Sequence, residues 1–302
     1  MKNSFSIVVD TSCDVSQEYL KANDIKVMPI TFMLGDVEHE MGYWQNITAE
    51  DFYNALGDGA IAKTAQINPD AFVASFSEYA SKDEDVLYLV LSSGLSATFQ
   101  SSQIALAEIK ETYPNCNIYP VDGIGATILN TALLEMIVDK RAEGLSAAET
   151  AEYIDKIKHH VLGFVTVDDL MYLHRGGRLS KLSAIGGSII GIKPIICIEP
   201  DGTLALKSKV RGREAALRHL ATLLKQSLAP NATVDTIYIS HSNCEDDALK
   251  LADIVKADVN VNRVVIQMLG PVIGAHVGPG AVVLVFESDL TREQYNNTFF
   301  VK

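Results

Sequence analysis

The feature that most constrains this chain is an alternation, through its first half, of short β-branched runs with longer stretches of helical periodicity. Phe5–Val9, Val27–Met33, Val86–Leu91 and Asn117–Val121 read as strands. Helical stretches near Ser16–Ala22, Ala49–Leu56, Asp70–Ala80, Ala97–Thr112 and Ala126–Ala142 bridge and follow them. Strands that are apolar on successive residues have no side to turn to water. A strand–helix–strand order then places helices on both faces of a parallel sheet. Asn68-Pro69, ahead of Asp70, is a helix-start pair, because proline at the first helical position gives up no intrahelical hydrogen bond.

The second half changes character. Leu162–Val167 reads as a strand, followed by a polar turn at Gly176-Gly177 and a Gly/Ile-rich segment, Leu182–Gly191. Pro194–Ile198 and Thr203–Ser208 are joined by Glu199-Pro200-Asp201-Gly202, a strong hairpin signal. A helix over Arg213–Leu228 gathers Ala216, Leu220, Leu223 and Leu224 on one face. Strands Thr236–Ser240, Val264–Met268 and Ala281–Phe286 follow, with a helix over Glu245–Ala257 between the first two. The predicted fold class is α/β in two domains that divide near His159-His160. Residues 1–160 form a three-layer domain on a parallel sheet, and residues 161–302 an α+β domain on a mixed sheet.

Composition narrows the partners. Lys and Arg number 25 against 38 Asp and Glu, a net charge of −13, and so acidic a surface repels phosphate backbones and anionic lipid. Nucleic acid is therefore disfavoured as a partner. The longest apolar or small-residue run, Ala184–Ile192, is too short to span a bilayer. The N-terminus reaches Asp10 with too short an apolar run for a signal-peptide core, so a cytoplasmic location is expected. Cys13, Cys116, Cys197 and Cys244 are too widely spaced for a zinc module or a small disulfide scaffold. The chain carries no phosphate-loop, dinucleotide, zinc-protease or nucleophile-elbow motif, and no cofactor or metal is implied.

Three strands run into small hydroxyl residues: Asp10-Thr11-Ser12, Ser92-Ser93-Gly94-Leu95-Ser96 and Ser240-His241-Ser242. In open parallel sheets ligands bind outside the carboxyl ends of strands, where hydroxyls and free helix N–H groups cradle an anion. The same residues also serve as N-caps. The doubled serine with glycine exceeds what a cap requires, and there ligand contact is favoured. His276 stands among small turn formers in Gly270–Gly280, a setting that lets backbone approach a ligand while presenting one imidazole. A basic cluster, His174-Arg175-Gly176-Gly177-Arg178-Leu179-Ser180-Lys181, fits either an anion-docking turn or a helix-capping one, and Lys209 and Arg211 add a second basic spot. A Ser93–His276 nucleophilic pair is the alternative chemistry, in a serine esterase or the subunit of a small-molecule kinase.

Taken together, Asp10–Asp14, Pro29-Ile30-Thr31-Phe32, Leu91–Thr98, His174–Ser180, Gly191-Ile192-Lys193-Pro194 and Gly274–Gly280 resemble the DegV family along nearly the whole chain and in order. The characterised members of that family are bacterial fatty-acid-binding proteins of the FakB kind. The resemblance implies a carrier, not an enzyme, that holds one long-chain fatty acid inside the protein with its carboxylate between the domains. It assigns the carboxylate to Thr64, Ser93 and His276, with Ser92, Gly94 and Thr127 as secondary contacts. It also implies a partner, a fatty acid kinase that converts the bound acid to acyl-phosphate for phospholipid synthesis, met through Arg178 and Arg211. The chain departs from the family pattern at Ala65-Gln66-Ile67-Asn68, at Ala97, and at Gly123, Thr127 and Leu129, positions expected to shape the tunnel. Gly176-Gly177 and Ile185–Ile192 are read as a lid over the acyl chain or as plain core.

Overall fold

A computed structural model describes residues 5–40, 44, 46–179 and 191–300. Ser180, Lys181 and most of the expected lid, Ile185–Ile192, lie outside them. In chain order the elements begin with β1 (Ser6–Asp10), α1 (Gln17–Ala22), β2 (Ile25–Met28), β3 (Phe32–Leu34), β4 (Val37–His39), α2 (Ala49–Gly57), β5 (Ala62–Thr64) and α3 (Pro69–Ala80). Then come β6 (Val86–Val90), α4 (Thr98–Thr112), β7 (Ile118–Asp122), α5 (Ile128–Ala142), α6 (Ala147–Ile157), β8 (Val161–Thr166), α7 (Met171–Arg175), β9 (Ile192–Ile198) and β10 (Leu204–Arg211). The chain closes with α8 (Arg213–Gln226), β11 (Thr233–His241), α9 (Glu245–Asp258), β12 (Asn260–Met268), α10 (Pro271–Val277), β13 (Val282–Glu287) and α11 (Arg292–Phe299). None of the described helices is long and apolar enough to cross a membrane.

The fold is mixed α/β in two domains. The first sheet is four-stranded and parallel, in the order β2-β1-β6-β7. The second has six strands, β10-β9-β8-β13-β11-β12, antiparallel throughout except for the β11–β12 pair. A third, three-stranded sheet, β4-β3-β5, was not foreseen. The expected strand Val27–Met33 breaks into β2 and β3 at Pro29, which has no N–H for a ladder. Thr11 fixes the exit by accepting the Ile30 N–H at 2.8 Å, and the chain leaves the parallel sheet to start the small one.

Strand alternation explains how the sheets stack. In β8 and β13 the residues Val161, Val165, Val283 and Val285 face one core, while Leu162, Phe164, Leu284 and Phe286 face another beneath α8, α9 and α11. The first of these cores continues through Leu129 and Leu133 of α5 into Ile7, Val9, Leu87 and Leu89 of the parallel sheet. One apolar interior thus joins the two sheets, with α5 between them. The outer face of the parallel sheet packs on α3 and α4 through Phe72, Phe76, Tyr88 and Ala105. Arg292, fully buried, donates to the carbonyls of Ile124 at 2.6 Å and Val161 at 2.9 Å, tying α11 to the chain that leaves the parallel sheet.

Candidate functional site

The parallel sheet reverses its winding between β1 and β6, and a crevice opens outside the carboxyl ends of strands at such a point. Here the innermost part is filled by Asp10, whose carboxylate accepts from the N–H groups of Ser12 at 3.0 Å and Leu91 at 2.8 Å. Burial raises the Asp10 pKa, and the hydrogen bonds from Ser12, Leu91 and Tyr88 oppose that shift. Its role is to hold two strand ends together.

Above it lies a cavity of about 60 Å³ with walls from Ile30, Leu91, Leu95, Leu173, Leu204 and Val272. Its polar lining includes Thr64, Ser96, Arg178 and His276. Thr64 arrives at the end of β5 and His276 near the end of α10, and their Oγ1 and Nε2 atoms are 2.8 Å apart. Gly270–Gly280, read from sequence as a turn-rich loop, contains this short helix because Pro271 occupies its first position.

The His276 ring is closed in from its other side. A Cβ on Gly176 would sit 2.4 Å from Nδ1, so only glycine lets the end of α7 approach this closely. Burial, with a smaller effect from the Arg178 guanidinium, lowers the imidazole pKa to about 4. His276 is therefore neutral at pH 7, and a neutral imidazole carries one N–H. With that proton on Nε2 it donates to Thr64, and the Thr64 hydroxyl is free to donate to a ligand oxygen. Arg178 donates from Nε to the Leu95 carbonyl at 3.1 Å and from Nη1 to the Gly176 carbonyl. It links the serine-rich loop after β6 to the turn that packs against His276.

The model of one family, described as an uncharacterised protein family, DegV, matches residues 4–289. The chain belongs to the DegV family. A DegV domain-containing protein of Clostridium perfringens is 33% identical over 289 residues, covering 96% of this chain and 99% of its own. One from Lactococcus lactis is 33% identical over 294 residues, 96% of this chain and all of its own. Among solved structures, a DegV lipid-binding protein of Thermotoga maritima superposes with a TM-score of 0.82 at 25% identity, covering 95% of this chain and 99% of its own. A fatty-acid-binding DegV protein of Streptococcus agalactiae gives 0.81 at 27% identity, with the same coverage.

The remaining expected site residues of this DegV chain are not at the cavity. Ser93 is exposed, its N–H donating to Asp122 Oδ1 at 3.1 Å, and it neither lines the cavity nor bonds to His276. The serine that does line it is Ser96, whose Oγ accepts the Thr98 N–H at 3.2 Å at the start of α4. The doubled serine gives no sign of this placement; the local feature that marks Ser96 is the Ser-x-Thr step into a helix.

Ser92 is buried, and its hydroxyl donates to the Gly202 carbonyl at 3.0 Å. A Cβ on Gly94 would meet the backbone of Asp201, Gly202 and Thr203 at 2.7 Å. These two residues seat the β9–β10 hairpin turn on the serine-rich loop. Thr127, at a φ of +51°, donates to Asp14 Oδ2 at 2.5 Å. Asp14 also accepts the Gly270 N–H at the head of α10, and burial raises its pKa to about 7. Arg211 is exposed at the end of β10, away from the cavity lining.

Proposed function

We propose that this protein carries a long-chain fatty acid, with the carboxylate held by Thr64 and His276 beside Ser96, and presents it to a fatty acid kinase. The carrying observation is an uncharged hydroxyl–imidazole pair set at the wall of an apolar cavity. Burying an acyl chain contributes about 0.8 kcal/mol per CH₂, so sixteen carbons supply on the order of 10 kcal/mol before ordering costs. The head needs no ion pair for affinity. It needs hydrogen-bond donors, because a buried carboxylate without them would be strongly penalised. The Thr64 hydroxyl, oriented by the His276 N–H, supplies one and leaves the oxygens free of a fixed salt bridge.

The cavity of about 60 Å³ takes the head of such an acid. In this reading the rest of the chain passes Leu173 and Leu204 into the core between residues 1–160 and 161–302, which part to admit it. The DegV structures described as lipid- or fatty-acid-binding support the ligand class. The protein works in the cytoplasm and turns nothing over alone. In the partner's step a carboxylate oxygen attacks the terminal phosphorus of ATP held by the kinase. The new O–P bond forms as the bond to the β-phosphate oxygen breaks, and ADP departs. Arg178 at the cavity and Arg211 on the surface are the residues offered to that partner.

Organic extraction of the purified protein followed by mass spectrometry tests the ligand. Incubation of the loaded protein with kinase and ATP tests the transfer. An extract without fatty acid, from protein that also fails to take it up, refutes the reading.

A further inference from the structure

We infer that Asp14 is a positioning residue for the Thr64–His276 pair. Ionised, it fixes the head of α10, the helix that carries His276, and the hold on a fatty acid weakens when it takes up a proton. The consequence for binding rests on the function proposed above; the coupling of Asp14 to α10 does not.

The helix α10 has no cap of its own. Its N-cap, Gly270, carries no side chain, and Pro271 has no N–H. The acceptor comes from across the fold. The buried Asp14 carboxylate takes the Gly270 N–H, and a Cβ on Gly270 would overlap it. The same carboxylate accepts the hydroxyl of Thr127, the N-cap of α5, at 2.5 Å. Through its carbonyl, Asp14 also accepts from the Thr131 hydroxyl at 2.9 Å and from Gln267 of β12. One residue after β1 thus joins the heads of α5 and α10. His276 stands in the last turn of the same short helix, so a shift at the head reaches the ring. There is little slack at that end, where Thr64 lies 2.8 Å from Nε2 and Gly176 packs on Nδ1.

The charge on Asp14 has no ionic support. It makes no salt bridge among the described residues. The titratable groups that face it are Asp10 and Cys13 from its own strand and loop and Tyr53 from α2, none of them a cation. The other elements present hydroxyls and an amide: Thr127 and Thr131, Ser240 of β11 at 3.4 Å from Thr127, and Gln267. Burial, with a smaller effect from Asp10, lifts the Asp14 carboxyl to about 7 against the Thr127 and Gly270 bonds, so both forms are present near neutral pH. A hydrogen bond to a carboxylate is roughly twice as strong as one to a neutral group. Protonation therefore weakens both bonds, and α10 is held less firmly. Because the gripping form is ionised, affinity should rise with pH through this range and loading should release protons. An imidazole that gains a carboxylate neighbour takes protons up instead, so the two effects are separable by sign.

The test follows the His276 ring Hε1 signal of the delipidated full-length protein between about pH 6 and pH 8, together with palmitate affinity over the same range. In wild type the ring signal should move with a midpoint near 7, although the ring itself titrates near 4. Affinity should fall roughly two- to fivefold from the upper to the lower pH. Asp14→Asn, which keeps the shape and removes the charge, should leave the signal unmoved and hold affinity at its low-pH value. Thr127→Val, which removes a bond to the ionised form, should shift both midpoints to higher pH. A ring signal that stays put in wild type, or an Asp14→Asn protein with the wild-type pH profile, would overturn the inference. A ring signal that follows Asp14 in a protein that takes up no palmitate at any pH would uphold the positioning role and sink the carrier reading.

Discussion

The hydroxyl of Thr64 lies 2.8 Å from Nε2 of His276, two side chains that reach one cavity from β5 and from α10, on opposite ends of the sequence. If they grip a carboxylate as a unit, each should matter and together they should matter little more. Hydrogen bonds to a charged group are worth about 1.5–3 kcal/mol, so Thr64→Val and His276→Ala should each weaken fatty-acid binding roughly ten- to a hundredfold. The double variant should be close to the weaker single, and Thr64→Ser should stay near wild type. Displacement of a fluorescent fatty acid measures all four. Additive losses would mean that the two do not share a ligand.

His276 supplies a pH signature. Its imidazole titrates near 4 when folded against an ordinary value of 6.5. The unfolded chain therefore holds more protons between those values. The stability from this group is complete above 6.5 and is lost as the pH falls toward 4. A carboxylate against the ring should raise the folded pKa, so acid binding should take up protons at mildly acidic pH. The His276 Hε1 shift, titrated with and without fatty acid, reads this. An unmoved midpoint would place the head group elsewhere.

Asp14 has the opposite sign. Burial lifts its carboxyl from 3.8 to about 7, so the folded protein binds the extra proton and loses stability as pH rises between those values. Asp10 is raised too and adds a slope of the same sign. Asp14→Asn keeps an oxygen for the Thr127 hydroxyl and removes one titration. Urea midpoints should then fall less steeply from acid to neutral pH in the variant than in wild type. Identical slopes would show that Asp14 does not titrate in this window.

Two glycines should separate stability from binding. Gly94→Ala forces a methyl group into the hairpin backbone 2.7 Å away, an overpacking worth about 1–3 kcal/mol in urea denaturation. Gly176→Ala meets the His276 ring at 2.4 Å instead, and should cost fatty-acid affinity more than fold. Equal effects of both variants on binding would mean that the hairpin contact, and not the ring, governs the cavity.

Much of this could be read from the chain, and the misses share a cause. The helices α3, α4 and α5 fall within a residue or two of their expected spans, because apolar periodicity and the Asn68-Pro69 start are local. The helix α6 lies outside the expected spans although Ser146 and Glu149 form a capping box, itself a local signal. Thr64 and His276 were singled out, and the structure pairs them. What no local pattern reports is which hydroxyl of a crowded loop faces inward. The Ser92 hydroxyl is spent on Gly202, Ser93 is exposed with its backbone N–H on Asp122, and Ser96 alone of the three lines the cavity, a choice made by the hairpin that docks on the loop. Gly274 likewise sits inside a helix because a Cβ there would meet the Tyr53 hydroxyl at 2.6 Å, a contact made across the fold.

A crystal structure of the protein loaded with palmitate bears most directly on the whole account. One carboxylate oxygen should lie within hydrogen-bond distance of Thr64 Oγ1 or His276 Nε2, with the acyl chain running past Leu173 and Leu204 into the core. A head group seated at Ser93, or an acid lying on the surface with the core still closed, would contradict it.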